Sequence, residues 1–180
     1  MKKILSTIAI SLLAVVCLFY GWLSASAPGT KKTYTSSIFV EKVVDGDSIE
    51  AVIQGKREHT RLIGIDAPEL AQRPWGKKAK KYLEEMVAAS KWEVGITYDV
   101  ERRDKHDRVL AYLWSRDGKM LNEELLRAGL AVISTFPPNV KYVERFRTAQ
   151  IIARENKAGI WGKGGLRQLP SDYRRDHPRN

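Results

Sequence analysis

Between Ile38 and Ile65 apolar and polar positions alternate in three short runs, IFVEKVV, SIEAVIQ and HTRLIGI, all rich in valine and isoleucine. That period of two with β-branched residues predicts strands. The runs break at Asp45-Gly46 and at Gln54-Gly55-Lys56, which read as hairpin turns, so a three-stranded meander is expected. From Gly76 to Ser90 the period changes: Ala79, Tyr82, Leu83, Met86 and Val87 recur at three- and four-residue steps, as on one face of a helix. Alternation returns at Trp92, Val94, Ile96, Tyr98 and Val100, and RVLAYLWS carries the strand reading to the turn at Asp117-Gly118. LNEELLRAG reads as a short helix ended by Gly129, where a missing Cβ suits a left-handed cap. Tyr142, Phe146, Ala149 and Ala153 give a last helix its apolar face, with Gly159 as its end. Five strands and three helices make an α+β domain. A small closed barrel packed by helices is its natural architecture, because closure leaves no exposed strand edge.

Both ends of the chain depart from these patterns. Lys2 and Lys3 precede 19 uncharged, mostly apolar residues from Ile4 to Trp22, followed by the small residues of LSASAPG. Residues 1–27 therefore read as an export signal or as an uncleaved membrane anchor. Ala25-Ser26-Ala27 has the small-x-small form of a cleavage site, but Pro28 follows it, and about 18 apolar residues suffice to span a bilayer. Residues 28–37 are a polar linker, residues 38–165 the folded domain, and residues 166–180, LRQLPSDYRRDHPRN, a basic tail expected to be mobile.

Charge narrows the partner class. The chain has 31 Lys and Arg against 21 Asp and Glu, a net +10. Setting aside Lys2 and Lys3 leaves 29 against 21, a net +8, so the basic character belongs to the domain and favours a polyanion or an anionic surface. Cys17, the single cysteine, lies in the apolar segment, so the domain holds itself together by packing and not by disulfides.

Four acidic residues stand where strands end: Asp45 and Asp47 in VVDGDS, Asp66 and Glu69 in RLIGIDAPEL. Each pair has a structural explanation, a turn at Asp45-Gly46 and a helix-capping Asp-x-x-Glu with Pro68 in the first turn. An antiparallel hairpin, however, brings Asp47 and Asp66 to the same end of the sheet. Two converging carboxylates with no nearby His or Cys suit Ca²⁺ or Mg²⁺ and not zinc, and Glu69 is in reach to act as a general base. Arg61 shares the parity of Ile63 and Ile65 and is expected to point to a buried face, where it needs an anionic partner. Arg108, in RRDKHDRVLAY, has a solvated loop as its default. Acidic metal ligands with arginines suit phosphodiester hydrolysis, since both neutralise charge on phosphoryl oxygens.

VVDGDSIEAV, RLIGIDAPE, DKHDRVLAYLW, DGKMLNEELLRAGLA and ENKAGIW, in this order, resemble the thermonuclease family, the staphylococcal-nuclease-like domain, over about Ile38 to Gly162. The resemblance implies an OB-fold barrel of five strands with three helices and Ca²⁺-dependent hydrolysis of DNA and RNA, leaving 3′-phosphate ends. It implies that Asp47, Asp66 and the carbonyl of Ala67 hold the calcium, that Glu69 is the general base, and that Arg61 and Arg108 grip the phosphate. It places Lys105, His106 and Phe136 against the substrate. Ala67 stands where the best-known members have threonine, and His106 where a tyrosine is usual. STFPPN, residues 134–139, lacks the tyrosine pair on which a base would stack.

The reading is a monomeric nuclease, exported or tethered to the membrane by its first residues. The alternative is a non-catalytic OB module that binds nucleic acid through a basic groove. Retention of all five charged side chains, Asp47, Arg61, Asp66, Glu69 and Arg108, separates the two and favours the enzyme. A basic, membrane-anchored structural protein accounts for the charge but not for the paired carboxylates.

Overall fold

The structure, a computed structural model, describes Tyr34 and residues 36–178. The segment read as signal or anchor lies outside them. Among the described residues no helix is long and apolar enough to cross a membrane.

Strands β1 (Ser36–Val43), β2 (Ser48–Ile53), β3 (Lys56–Leu62), β5 (Glu93–Thr97) and β6 (Val109–Trp114) close into a barrel in the order β1-β2-β3-β6-β5. All pairings are antiparallel except β3 with β6. The five strands of the barrel are those that the alternating runs predict. In β1 the inward set is Ile38, Val40 and Val43; a register shift between Val40 and Lys42 resets the period so that all three reach the core.

The third run is not one strand. Gly64, with φ of 80°, breaks it, and Gly64–Asp66 form a separate strand, β4, that pairs with β7 (Val132–Ser134) outside the barrel. Arg61 takes the shielded position with anionic partners that is expected of it, but outside the barrel and not in its core. Within β3 the buried positions are Thr60 and Leu62, so Arg61 faces away from the barrel interior, while Ile65 is buried through the second sheet. Fully buried Asn122 fastens the crossing, donating to the Ile63 carbonyl at 2.9 Å and accepting from the Leu113 N–H at 3.0 Å.

Helices α1 (Trp75–Ala89), α2 (Leu121–Arg127) and α3 (Val143–Glu155) match the three periodic segments. Ala79, Leu83 and Val87 of α1 are buried, as are Phe146, Ala149 and Ala153 of α3. Gly129, at φ 64°, follows α2 as its left-handed cap; its N–H bonds the Leu126 carbonyl and the Leu130 N–H reaches the Leu125 carbonyl. Helix α3 stops at Glu155, before the expected Gly159, which instead opens a 3₁₀ turn through Trp161. A fourth helix, α4 (Pro170–Asp176), forms within the tail expected to be mobile. Its signals stand in the sequence: Pro170 at the first turn, Asp172 near the positive end, Arg174 and Arg175 near the negative end.

Candidate active site

The turn between β1 and β2 builds the first wall. Asp45 accepts the Asp47 N–H at 3.0 Å, which fixes the turn, and Gly46 lies so close to Ala67 and Ala79 that a Cβ there would stand 2.6 Å from each of their β-carbons. Asp-Gly is thus here for close approach as much as for turning. Beyond it, Ser48 lies opposite Arg61 across the β2–β3 hairpin, and Leu62 donates to the Asp47 carbonyl at 2.8 Å. The hairpin therefore places Asp47 and the end of β4 together.

Asp47 and Asp66 are both buried, at 6 % and 2 % exposure. Asp47 accepts the Ala67 N–H at 2.6 Å and the Ser48 hydroxyl at 3.1 Å, and its other partner is the Arg61 guanidinium. Arg61 also reaches Asp66 Oδ1 at 3.2 Å and donates to the carbonyls of Ile65 and Asp47 at 3.1 and 3.3 Å. Burial pulls the Arg61 guanidinium down to about 10, against the opposing attraction of Asp66 and Asp45, so it stays cationic near neutral pH. Its partners are the anions that its shielded position requires.

Asp66 and Glu69 do not cap a helix. Helix α1 begins only at Trp75, behind Pro74, without a side-chain cap, and the Glu69 N–H instead meets Gln72 Oε1 at 2.9 Å. Both carboxylates meet a residue absent from the expected site. Arg174 of α4 donates to Asp66 Oδ1 and Oδ2 at 3.0 and 2.8 Å and to Glu69 Oε1 at 3.0 Å. The bonds to Asp66, followed by those to Glu69, outweigh burial and raise the Arg174 guanidinium above its ordinary value.

Arg108, entering β6, is held by Asp104: its Nε and Nη2 lie 2.7 Å from Oδ2. Oδ1 of Asp104 accepts the N–H groups of His106 and Arg108 at 2.9 and 3.0 Å. Partial burial works against the charge, but the Arg108 guanidinium and these two N–H groups prevail and hold Asp104 below its ordinary range. The loop is thus braced and not merely solvated. Asn139 braces the opposite lip, exchanging two hydrogen bonds with the Glu101 backbone at 2.8 and 3.0 Å.

These groups surround one cleft of about 1190 Å³. Asp47, Arg61, Ala67, Glu69, Lys105, His106, Arg108 and Phe136 all line it, and Phe136 is three-quarters exposed. Ser171, Arg174 and His177, which the sequence reading left in a mobile tail, line it too. Asp66 does not; it lies beneath, under Arg174.

Donor chemistry decides whether these residues fit a cation. Among the described residues no three His, Cys, Asp or Glu side chains gather as one cluster. A cation here would take the oxygens of Asp47 and Asp66 and complete its shell with backbone oxygen and water, which suits a hard dication. The residues fit in kind.

A closed five-stranded barrel beside a cleft lined by Asp47, Glu69, Arg61 and Arg108 carries the kinds of charged group that phosphodiester hydrolysis uses. The family model described as Staphylococcal nuclease homologue matches residues 59–163. The chain is 35 % identical over 170 residues to a thermonuclease of Staphylococcus intermedius, covering 89 % of this chain and 99 % of that one. It is 34 % identical over 171 residues to a thermonuclease of Staphylococcus hyicus, with the same coverage. Endonuclease YncB of Bacillus subtilis (strain 168) is 34 % identical over 135 residues, 72 % of this chain and 63 % of that one. The chain belongs to the staphylococcal nuclease family.

Proposed function

We propose that this protein is a Ca²⁺-dependent endonuclease that cuts DNA and RNA, acts as a monomer, and is exported or held at the membrane by its first 27 residues. As a member of its family it is a nuclease, a hydrolase of phosphodiester bonds. The observation that carries the finer reading is that Arg61 is shared between Asp47 and Asp66 beside the cleft that Arg61, Asp47, Glu69 and Arg108 line.

Each side chain has a part. Glu69, 18 % exposed and on the cleft wall, accepts a proton from the water that attacks phosphorus. Arg61 and Arg108 donate to the phosphoryl oxygens and stabilise the charge that grows there, Arg61 from a shielded site where such donors count for more. Calcium, held by Asp47, Asp66 and the Ala67 carbonyl, would supply further neutralisation of the phosphate. Lys105, His106 and the exposed ring of Phe136 receive the strand, with Phe136 offering one face for a base. Attack with departure of the 5′ oxygen leaves a 3′-phosphate. The apolar segment Ile4 to Trp22 supports export or anchoring.

The test is incubation of the protein with plasmid DNA and with RNA, in Ca²⁺ and in chelator. Cleavage of both in Ca²⁺ alone is expected. Cleavage that persists in chelator, or none in Ca²⁺, overturns the metal dependence.

A further inference from the structure

Arg174 comes from a segment more than a hundred residues beyond Asp66, yet makes a forked contact with both of its carboxylate oxygens and a third with Glu69. A guanidinium fork on a carboxylate is the geometry of a strong charge-assisted pair. The contact is not a stray side chain on a loose tail. Helix α4 is seated by other groups: buried Gln72 donates to the Gln168 carbonyl at 2.9 Å, Gln168 reaches Asp176 Oδ2 at 2.5 Å, and Pro170 is buried. Before α4 runs Gly162-Lys163-Gly164-Gly165, in which Gly164, at φ 74°, has open space around it while Gly165 packs against the Ile160 carbonyl.

Arg174 and Glu69 line the cleft, whereas Asp66 lies under the Arg174 guanidinium. A divalent cation and this guanidinium thus seek the same oxygens. Both are positive, and the carboxylate cannot serve the two fully at once.

We infer that α4 is an inhibitory latch: Arg174 competes with the divalent cation for Asp66 and also occupies Glu69, and the helix must release Asp66 before the cation binds. The inference rests on the proposed cation site. Arg175, the neighbouring charge, is the internal control, because it turns to Asp172 and Asp176 on its own helix at 2.8 and 3.3 Å. A general loss of positive charge would act through either arginine; the latch acts through Arg174 alone.

The experiment is calorimetric titration of Ca²⁺ into the full chain, wild type and variants. Arg174→Gln is expected to bind Ca²⁺ roughly tenfold more tightly, the scale of losing one forked charge pair. Arg174→Lys should fall between, and Arg175→Gln should stay within about twofold of wild type. Unchanged or weaker binding by Arg174→Gln overturns the latch while leaving the cation site standing, and so does an equal gain in Arg175→Gln. No Ca²⁺ binding by any of them overturns both. A second measurement needs no variant: amide exchange of residues 171–176 in the wild type should quicken on addition of Ca²⁺, and exchange that is unchanged or slowed overturns the latch.

Discussion

The carboxylate of Asp47 accepts the backbone N–H of Ala67 at 2.6 Å, tying the start of β2 to the residue that follows β4. Through this bond, and through Arg61 between Asp47 and Asp66, the two acidic stretches hold each other in place.

Asp47→Ala removes an acceptor from the Ala67 N–H and an anion from Arg61. With Asp47 buried, the expected cost is about 3–5 kcal/mol, the range for breaking a buried charged pair. Urea unfolding measures it. A loss under about 0.5 kcal/mol would mean the pair is not structural.

Glu69→Gln keeps the size of the side chain and removes its basicity. Turnover in Ca²⁺ should drop by roughly 10²–10⁴-fold, the usual contribution of a general base, while the unfolding midpoint moves little. Single-turnover cleavage beside a melting curve separates the two effects. A near-wild-type rate would remove Glu69 from the chemistry.

Gly46→Ala should destabilise by about 1–3 kcal/mol, because the new methyl would stand 2.6 Å from the β-carbons of both Ala67 and Ala79. Helix α1 and the Ala67 strand end cannot both give way without moving the cleft wall. Thermal unfolding measures the cost. A neutral outcome would show that α1 shifts freely.

Asp104 titrates lower in the fold than in the unfolded chain, so it stabilises the fold above about pH 4 and loses that contribution as pH falls through its depressed folded value. Asp104→Asn should therefore lie below wild type in stability near pH 7, and the two should converge in acid. Unfolding of both proteins from pH 7 down to pH 2 reads this out. Curves that stay parallel would show that the Arg108 brace does not depend on the carboxylate's charge.

Much of this was legible in the chain. Period-two runs mark the barrel strands and 3.6-residue spacing marks α1, α2 and α3, because these faces must be buried whatever the tertiary partner. The hairpin logic that brings Asp47 near Asp66 is local too, since two strands joined by one turn have little freedom in register. Gly64 was less readable. A glycine in an apolar run is also compatible with a continuous strand, and only the pairing of Gly64 with Ser134 and the Phe146 ring against its backbone make it the point where β3 ends and β4 begins. The alternation within β3, which sends Thr60 and Leu62 inward, is what turns Arg61 to the carboxylates, and the break sends Ile65 into the second sheet.

By itself, then, the sequence determined the five barrel strands, three helices, the basic charge and the charged residues that share one family pattern, because each follows from local periodicity or short spacing. The tertiary structure alone decided that Glu69 leaves helix capping for the cleft, that Asp66 lies beneath it, and that Arg61 is shared between two carboxylates. It also decided that Arg174 crosses from the far end of the chain to cover Asp66. The physical reason is the same throughout: a charge seeks its partner through space, and no periodicity in the chain records how far away that partner lies.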